Sequence, residues 1–222
     1  MKTSNKLFSG FSGVLVLLML LSAIILKANY NKGITNTINH QPKQDPDYAK
    51  VTIPAFKALV LKSTVAKTDD REATVYIRES PEYQLEFYKN ATYNLLGDTL
   101  YIEISKPRDV VLFSPAIRYI DNRTGYAITV SEVNSPSLHI NAGGQIHVYM
   151  HNSKINSFSF TGKENNTLEV TEDNVLDSVK VTMGKRGSLY FYAPYQAGDF
   201  SVDSLDNLNI TGKSLKSLKR FN

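Results

Sequence analysis

A short apolar frame recurs in the C-terminal half of this chain and narrows the folds open to it. The frame reads apolar-x-x-apolar-x-apolar, often with a glycine shortly afterwards, and a second run of alternating apolar and polar residues follows each copy. Strand, glycine turn, strand and loop therefore form a repeating unit. The frame begins at Ile155 (INSFSFTGK), Leu176 (LDSVKVTMGK) and Leu205 (LDNLNITGK), and in a looser form at Pro136 (PSLHINAGG).

Alternation of apolar and polar residues dominates the whole chain after Val51. A period of two residues is typical of strands with one buried face, and no convincing helical period is present. Clusters of glycine, asparagine, aspartate, proline and serine separate the runs, as they do between strands. We therefore predict an all-β domain, with strands at ATVYIRE (from Ala73), YQLEFY (Tyr83), TLYIEI (Thr99), GYAITV (Gly125), QIHVYM (Gln145), TLEV (Thr167) and SLYFYA (Ser188).

The spacing of the frames favours one all-β architecture over another. The distances of 21 residues from Ile155 to Leu176 and 29 residues from Leu176 to Leu205 are typical of β-solenoid coils that carry variable loops. A hairpin meander needs no recurring frame of this kind. We predict a parallel β-solenoid, or β-helix-like, head. A β-sandwich stays open as the alternative, because it also has turns at short intervals.

The N-terminal segment differs from the rest of the chain. Twenty residues, Leu7–Leu26, carry no charge, and a helix of that length covers about 30 Å, the thickness of a hydrocarbon core. We predict a transmembrane anchor there, with Lys2 and Lys6 favouring a cytoplasmic N-terminus. A cleaved signal peptide is the alternative, although Leu26-Lys27-Ala28 is a poor cleavage site. The predicted domains are a membrane anchor or signal peptide (1–29), a polar linker (30–50) and an extracytoplasmic β-domain (51–222).

The distribution of charge argues against nucleic acid as a partner. Residues 1–50 contain six lysines and two aspartates, and so account for the whole formal charge of +4. The remaining residues have equal numbers of basic and acidic side chains, which gives the β-domain no basic surplus for phosphate binding. The chain also has no cysteine, which excludes disulfides, cysteine-ligated metals and thiol catalysis.

The order of the elements resembles one family of bacterial envelope proteins. Residues 51 to about 218 are similar to the auto-transporter adhesin head (GIN-domain) family in pattern and order, without an invariant motif. The resemblance implies an exported or anchored protein with a parallel β-solenoid-like head. The chain departs from that family in lacking its Gly-rich and Asp-rich coils and in the long stretch from Lys106 to Ser135. The positions that carry the resemblance are Phe56, Leu59 and Leu61, the Val75–Ile77 strand, Gly97, Leu100, Ile102 and Ile104, and the coils that follow.

Motifs for catalysis are absent from the sequence. The Thr-Gly-Lys triplets that end at Lys163 and Lys213 lack the upstream glycine and the following helix of a phosphate loop, so we interpret them as turns. No G-x-S-x-G or H-E-x-x-H motif occurs. We predict a non-catalytic protein that needs no cofactor. A polysaccharide-active enzyme would need paired carboxylates in one cleft, and the acidic clusters at Asp69-Asp70 and Glu172-Asp173 are explained by solvated turns.

Two sets of outward-facing side chains are candidate binding residues. Tyr149, Tyr190 and Tyr192 alternate with inward apolar residues, and in neighbouring coils they would form a flat aromatic strip that suits sugar rings or a partner strand. Ordinary cross-strand aromatic packing is the simpler interpretation. His139, His147 and His151 also face outward and fall within thirteen residues, which leaves a metal site as an alternative, although exposed histidines without an assigned carboxylate are usually surface residues.

Together these features predict a single-pass membrane protein of the bacterial cell envelope whose β-domain lies outside the cytoplasm. The predicted role is an adhesin-like or scaffold interaction with a protein or glycan partner, and the membrane partner is bound through residues 7–26. The alternative function is an envelope polysaccharide-active enzyme or a carbohydrate-binding module on a β-helix. Secretion after signal cleavage is the alternative localisation.

Overall fold

The computed structural model describes Phe11, residues 13–24, Lys27, residues 47–64 and 73–211, and Ser214. The chain divides into two compact units, Met1–Asp45 and Pro46–Asn222. In the first unit, Phe11, residues 13–24 and Lys27 are helical. Among the described residues, no helix has both the length and the apolar character needed to cross a membrane. The predicted anchor extends beyond these residues on both sides, and most of the predicted linker lies outside the described residues, so both stay predictions.

The described part of the second unit, residues 47–64 and 73–211, consists of strands joined by turns and short loops. The prediction of an all-β domain is confirmed for these residues, and the first strand starts at Tyr48, inside the predicted linker. The strands are β1 Tyr48–Thr52, β2 Ala58–Ser63, β3 Thr74–Arg78, β4 Gln84–Tyr88, β5 Ala91–Leu96, β6 Thr99–Ile104, β7 Val110–Phe113, β8 Tyr119–Asn122, β9 Ala127–Ser131, β10 Asn134–Ala142, β11 His147–His151, β12 Lys154–Gly162, β13 Thr167–Val170, β14 Val175–Met183, β15 Gly187–Phe191, β16 Ala197–Val202 and β17 Leu205–Ile210.

The strands belong to two large mixed sheets. The nine-stranded sheet has the order β1-β4-β7-β3-β9-β11-β13-β15-β17, and the eight-stranded sheet has the order β16-β14-β12-β10-β8-β2-β6-β5. From β8 onwards the chain alternates between the sheets, and each strand pairs in parallel with the next strand but one. The pairs β1–β4, β4–β7 and β5–β6 are antiparallel and lie at one end of each sheet.

Inward-facing apolar residues from both sheets form one core. In the eight-stranded sheet, Leu138, Phe158 and Val179 stand opposite one another on β10, β12 and β14. Each of these side chains is at most 3% exposed. Burial of a side chain of this size stabilises the fold by about 1.5–3 kcal/mol. Because the side-chain period of a strand is two, this inward row also determines which residues must face outward.

Three of the four sequence frames occupy equivalent positions. The frames that begin at Pro136, Ile155 and Leu176 lie on β10, β12 and β14, which are successive parallel neighbours in one sheet. The second runs that follow them form β11, β13 and β15, which are neighbours in the other sheet. The predicted unit of strand, turn and strand is therefore confirmed for these copies.

The placement of the fourth frame was wrong. The segment Leu205–Ile210 is β17, which pairs with β15 in the nine-stranded sheet and not with β14. The place beside β14 belongs to β16, whose one buried apolar side chain is Phe200. The frame arises wherever two successive residues face outward, such as Asn156 and Ser157 in β12 or Asp206 and Asn207 in β17. That local irregularity occurs in either sheet, so it does not identify the sheet.

Buried asparagines hold successive turns together. The Asn166 side-chain oxygen accepts a hydrogen bond from the Ile146 amide at 2.9 Å, and its Nδ2 donates to the Gly143 carbonyl at 2.7 Å. Asn174 does the same one turn later, accepting from the Ser153 amide and donating to the Met150 carbonyl. Both side chains are fully buried. They supply partners to the Ile146 and Ser153 amides and to the Gly143 carbonyl, which would otherwise carry a desolvation cost. The Met150 carbonyl also accepts from the Thr171 amide at 3.1 Å, so Asn174 adds a further donor there.

Gly162, in the first Thr-Gly-Lys triplet, marks a close approach inside the core, whereas Gly212 of the second triplet lies outside the described residues. A Cβ at position 162 would lie 2.7 Å from Phe160 Cε1 and 2.9 Å from Asn166 Nδ2. Gly162 stands opposite Ala142 and Met183 in the sheet, so glycine is required by local crowding and not by strand pairing. The triplet thus has a packing role at the end of β12.

We expect Gly162→Ala to lower the free energy of unfolding by about 1–3 kcal/mol, because overpacking forces buried neighbours to shift. Gly144→Ala is the matched control, since its Cβ would meet only the Glu164 carbonyl oxygen at 3.4 Å, an ordinary contact. Urea denaturation followed by circular dichroism measures both variants. An equal loss of stability in the two variants would contradict the crowding at position 162.

Candidate binding surface

A row of outward-facing side chains crosses the nine-stranded sheet. We call it the tyrosine row, and it consists of Tyr76 on β3, Thr129 on β9, Tyr149 on β11, Glu169 on β13 and Tyr190 on β15. Each residue stands directly opposite the next in the strand register. All five are half-buried. The row therefore presents a tyrosine on every second strand.

The core fixes the outward direction of this row. Tyr149 lies between Val148 and Met150, and Tyr190 lies between Leu189 and Phe191. These four neighbours are fully buried. A side chain between two inward residues of a strand must point away from the core. Adjacent strands are about 4.8 Å apart, so successive tyrosines of the row are separated by about 9.6 Å along the sheet.

The predicted aromatic strip is brought together in part. Tyr149 and Tyr190 share one face, but they are separated by Glu169 instead of lying on neighbouring strands. Tyr192 follows the end of β15, and its amide donates to the Val170 carbonyl at 2.8 Å, which keeps it beside β13. Sequence reasoning missed Tyr76. Its alternation in TVYIR predicts an outward side chain, but no local signal shows that β3 pairs with β9.

Polar and charged groups flank the tyrosine row. The rings of Tyr149 and His151 are 5.3 Å apart between centroids and tilted. The His147 Nε2 lies 3.6 Å from the Glu169 Oε2. At the other end, the Arg78 guanidinium lies 5.7 Å from the centroid of the Tyr76 ring. The surface therefore combines apolar ring faces with hydrogen-bonding groups, the combination that binding sites use to orient polar ligands.

The three histidines do not form one group. His147 and His151 lie on β11 of the nine-stranded sheet, whereas His139 lies on β10 of the eight-stranded sheet. His139 stacks on Tyr119, with ring centroids 5.3 Å apart and planes 10° from parallel. Within the described ranges, no group of three or more histidine, aspartate or glutamate side chains is placed to hold a metal ion. The alternative of a metal site on His139, His147 and His151 therefore fails on geometry.

Burial lowers the pKa of His139, an effect that the nearby Asp121 carboxylate opposes. Asp121 itself is almost fully buried although it faces outward. Its Oδ1 accepts from Asn141 Nδ2 at 2.9 Å, and its Oδ2 accepts from Arg123 Nε at 2.7 Å. Both carboxylate oxygens are thus engaged in hydrogen bonds. This arrangement stabilises the surface of the eight-stranded sheet and leaves Asp121 poorly suited to act as a general base.

The carboxylates that share the tyrosine row's register are too far apart for glycoside hydrolysis. Glu86 on β4 continues the row, but five strand spacings, about 24 Å, separate it from Glu169. Glycosidases place their two carboxyl groups about 5–9.5 Å apart. Glu86 is also engaged by Lys50 at 3.0 Å and by the Tyr48 hydroxyl, and these contacts lower its pKa against the opposing effect of burial. The tyrosine row therefore does not offer a carboxylate pair for this chemistry.

Comparisons with known proteins find only distant structural likeness. No protein-family model and no curated protein matches this chain. A crystal structure of a "putative adhesin" from Bacteroides fragilis is 13% identical, with a TM-score of 0.42, and the match covers 73% of this chain and 94% of that one. A "putative lipid binding protein" from Parabacteroides distasonis is 9% identical, with a TM-score of 0.35, over 77% and 96% of the two chains. Likeness at this level carries no functional argument.

The partly buried, stacked position of His139 predicts a pH dependence of stability. Because its folded-state pKa is lowered, the unfolded chain binds a proton more readily, so stability is full above the unfolded pKa of about 6.5 and falls as the pH drops below it. His139→Phe, which keeps a ring against Tyr119, should remove this part of the pH dependence. Thermal unfolding across that pH range, with an imidazole NMR titration, measures both effects. A His139 pKa at or above its ordinary value would contradict the prediction.

Proposed function

We propose that this chain is a non-catalytic, adhesin-like binding protein of the bacterial cell envelope that presents the tyrosine row to a glycan. The observation that carries the proposal is the alignment of Tyr76, Tyr149 and Tyr190 on one outward face. Tyrosine rings offer an apolar face for the C–H groups of a sugar and a hydroxyl for its polar edge. A row that crosses five neighbouring strands suits a ligand that is itself long.

The body that carries this surface is, in our proposal, a β-solenoid. Parallel pairing of alternate strands supports it, because a chain that returns to the same sheet after each turn must coil. Equivalent inward positions recur at Leu138, Phe158 and Val179, at intervals of 20 and 21 residues. Intervals of this length suit one coil of two strands and two turns. The antiparallel strands β1, β4 and β5 lie at the N-terminal end of the two sheets.

Polar residues of the tyrosine row suit a sugar better than an apolar protein surface. Glu169 has 33% of its side chain exposed, and His147 approaches it on the neighbouring strand. Thr129 is half-exposed between two tyrosines. These groups supply acceptors and donors for hydroxyls at intervals between the rings, and a partner that left them unpaired would pay a desolvation cost. A protein strand cannot add to this face, because its backbone groups are already paired within the sheet.

The N-terminal helix supports attachment to a membrane. Its described apolar side chains point in all directions and are exposed, with values between 41% and 68%. A helix that is apolar all round belongs in a core or a bilayer. We propose that residues 7–26 anchor the chain and that the second unit lies outside the cytoplasm. The apolar side chains concerned are Phe11, Val14, Leu15, Val16, Leu17, Leu18, Met19, Leu20, Leu21 and Ile24.

We expect the full-length chain to remain with membranes after alkaline extraction and to keep its N-terminus when the mature protein is sequenced. Leu17→Lys combined with Leu20→Lys should release it, because each lysine at a helix centre costs about 2.5–3.5 kcal/mol on insertion. Thr52→Lys, on an exposed residue of β1, is the control and should leave the protein in the membrane fraction. A mature N-terminus after residue 26 would show cleavage and refute the anchor.

We expect Tyr149→Ala to weaken binding to envelope polysaccharides two- to tenfold or more, since one stacked aromatic contact is worth about 0.5–1.5 kcal/mol. Tyr101→Ala is the matched control, because Tyr101 is a half-buried, outward-facing tyrosine of the eight-stranded sheet. Glycan arrays and affinity electrophoresis identify the ligand and measure the change.

An assay for newly released reducing ends on the same polysaccharides tests the enzymatic alternative. Reproducible turnover that Glu169→Gln abolishes would replace the binding function with catalysis. Absence of binding to any glycan, with a protein partner captured through the same face, would also refute the proposal.

A further inference from the structure

The spacing of the tyrosine row carries information about the shape of its ligand. Tyr76 and Tyr149 are separated by the single strand β9, and Tyr149 and Tyr190 by the single strand β13. The strand ladders determine these separations, so the three tyrosine positions repeat at about 9.6 Å in a direction perpendicular to the strands. Long-range pairing holds the rings at this spacing. A ligand that contacts all three must present apolar faces at the same interval.

We propose that the tyrosine row binds a neutral, extended β-1,4-linked polysaccharide that runs across the strands, with every second sugar stacked on Tyr76, Tyr149 and Tyr190. This inference rests on the proposed glycan-binding function and adds the linkage, direction and charge of the ligand. The sugars between the stacked ones lie over Thr129 and Glu169, whose oxygens accept hydrogen bonds from sugar hydroxyls.

The proposed β-1,4 linkage between the sugars follows from the alternation of tyrosines with other residues along the row. In an extended β-1,4-linked chain each sugar is turned over relative to the one before it, so the same face recurs with every second sugar. That repeat is comparable in length to two strand spacings. An α-linked chain is coiled and curves away from a straight path after a few sugars. It therefore cannot contact all three tyrosines, which lie in one row on β3, β11 and β15.

The direction in which the ligand runs follows from the residues that it would meet along a single strand. A chain that followed β11 would pass from Tyr149 to His147 or His151 and then leave the sheet at either end of this five-residue strand. Across the strands, the row continues over β3, β9, β11, β13 and β15 without a bulky apolar obstacle, since Thr129 and Glu169 are the residues between the rings. The span from Tyr76 to Tyr190 is four spacings, about 19 Å, which suits five sugars.

The expectation that the ligand is uncharged follows from the position of Glu169. Its carboxylate lies between Tyr149 and Tyr190 in the register, with 33% of the side chain exposed. A uronic acid placed there would bring two like charges together, which is unfavourable in a partly desolvated site. The cation at the other end, Arg78, is exposed beside Tyr76 and has donors for hydroxyls. The hydroxyls of a neutral sugar chain can form hydrogen bonds with both the Glu169 carboxylate and the Arg78 guanidinium.

A length series tests this arrangement on the full-length chain. The probes are cello- and chito-oligosaccharides from the disaccharide to the hexasaccharide, measured by isothermal titration calorimetry. We expect affinity to rise roughly two- to tenfold at the trisaccharide and again at the pentasaccharide, with small changes at the even lengths, because a new ring is engaged at each odd length. Malto-oligosaccharides and β-1,4-linked mannuronate oligomers should bind at least tenfold more weakly.

Substitutions of single tyrosines show which ring produces each rise in affinity. Tyr190→Leu should remove the gain at the pentasaccharide and leave the gain at the trisaccharide, whereas Tyr190→Phe should keep both, since it keeps the ring. Tyr149→Leu should remove the gain at the trisaccharide but leave a gain at the pentasaccharide, which still spans Tyr76 and Tyr190. Tyr101→Leu on the other sheet should change neither gain. Matching thermal unfolding curves for the variants show that folding is intact. A leucine variant that unfolds is replaced by the Tyr→Thr version at the same position, which also lacks the ring and suits a strand.

The outcomes separate this inference from the proposed function. Glycan binding through Tyr149 that shows no odd-length steps, or that is as strong for malto-oligosaccharides or mannuronates, overturns the inference and leaves the proposed function standing. Absence of binding to every glycan overturns both. A pentasaccharide step that survives Tyr190→Leu overturns the assignment of rings to alternate sugars. Loss of the pentasaccharide step in Tyr190→Leu, with the trisaccharide step retained, supports the inference.

Discussion

Parallel register between alternate strands is the constraint on which the rest of this molecule depends. Leu138, Phe158 and Val179 face inward on successive neighbours β10, β12 and β14, and Val148, Leu168 and Leu189 do so on β11, β13 and β15. Burial of these rows removes apolar surface from water and drives the two sheets together. A slip of one residue in any strand would turn its apolar side chains outward, so the register tolerates little change.

The outward surface is a consequence of that inward packing. Once the apolar rows face the core, the intervening residues must form rows of their own on the outside. Tyr76, Tyr149 and Tyr190 are aligned because their inward neighbours are aligned. Buried Asn166 and Asn174 keep successive turns at the same height, which preserves the spacing of the rows. An outward row of this kind costs the fold little, because it occupies positions that core packing does not use.

Much of the β-domain was predictable because strand character is local. The frames on β10, β12 and β14 and the runs on β11, β13 and β15 were predicted as copies of one strand-turn-strand unit, and the register confirms that they are equivalent. The fourth frame was misplaced, since β17 belongs to the nine-stranded sheet. An apolar-x-x-apolar spacing reports two successive outward residues, and such a pair forms in either sheet. The aromatic strip was predicted from Tyr149, Tyr190 and Tyr192, but without Tyr76 and without the strand that separates Tyr149 from Tyr190.

The sequence by itself determined the β character of the domain, many of its strands and which side of those strands is apolar. These properties depend on backbone geometry and on side chains that are close along the chain. Only the tertiary structure decided that β3 lies beside β9, that His139 lies in the sheet opposite His147 and His151, and that a carboxylate separates two tyrosines. Local sequence favours many pairings and registers between distant strands about equally. The core, which buries all the rows at once, selects one of them.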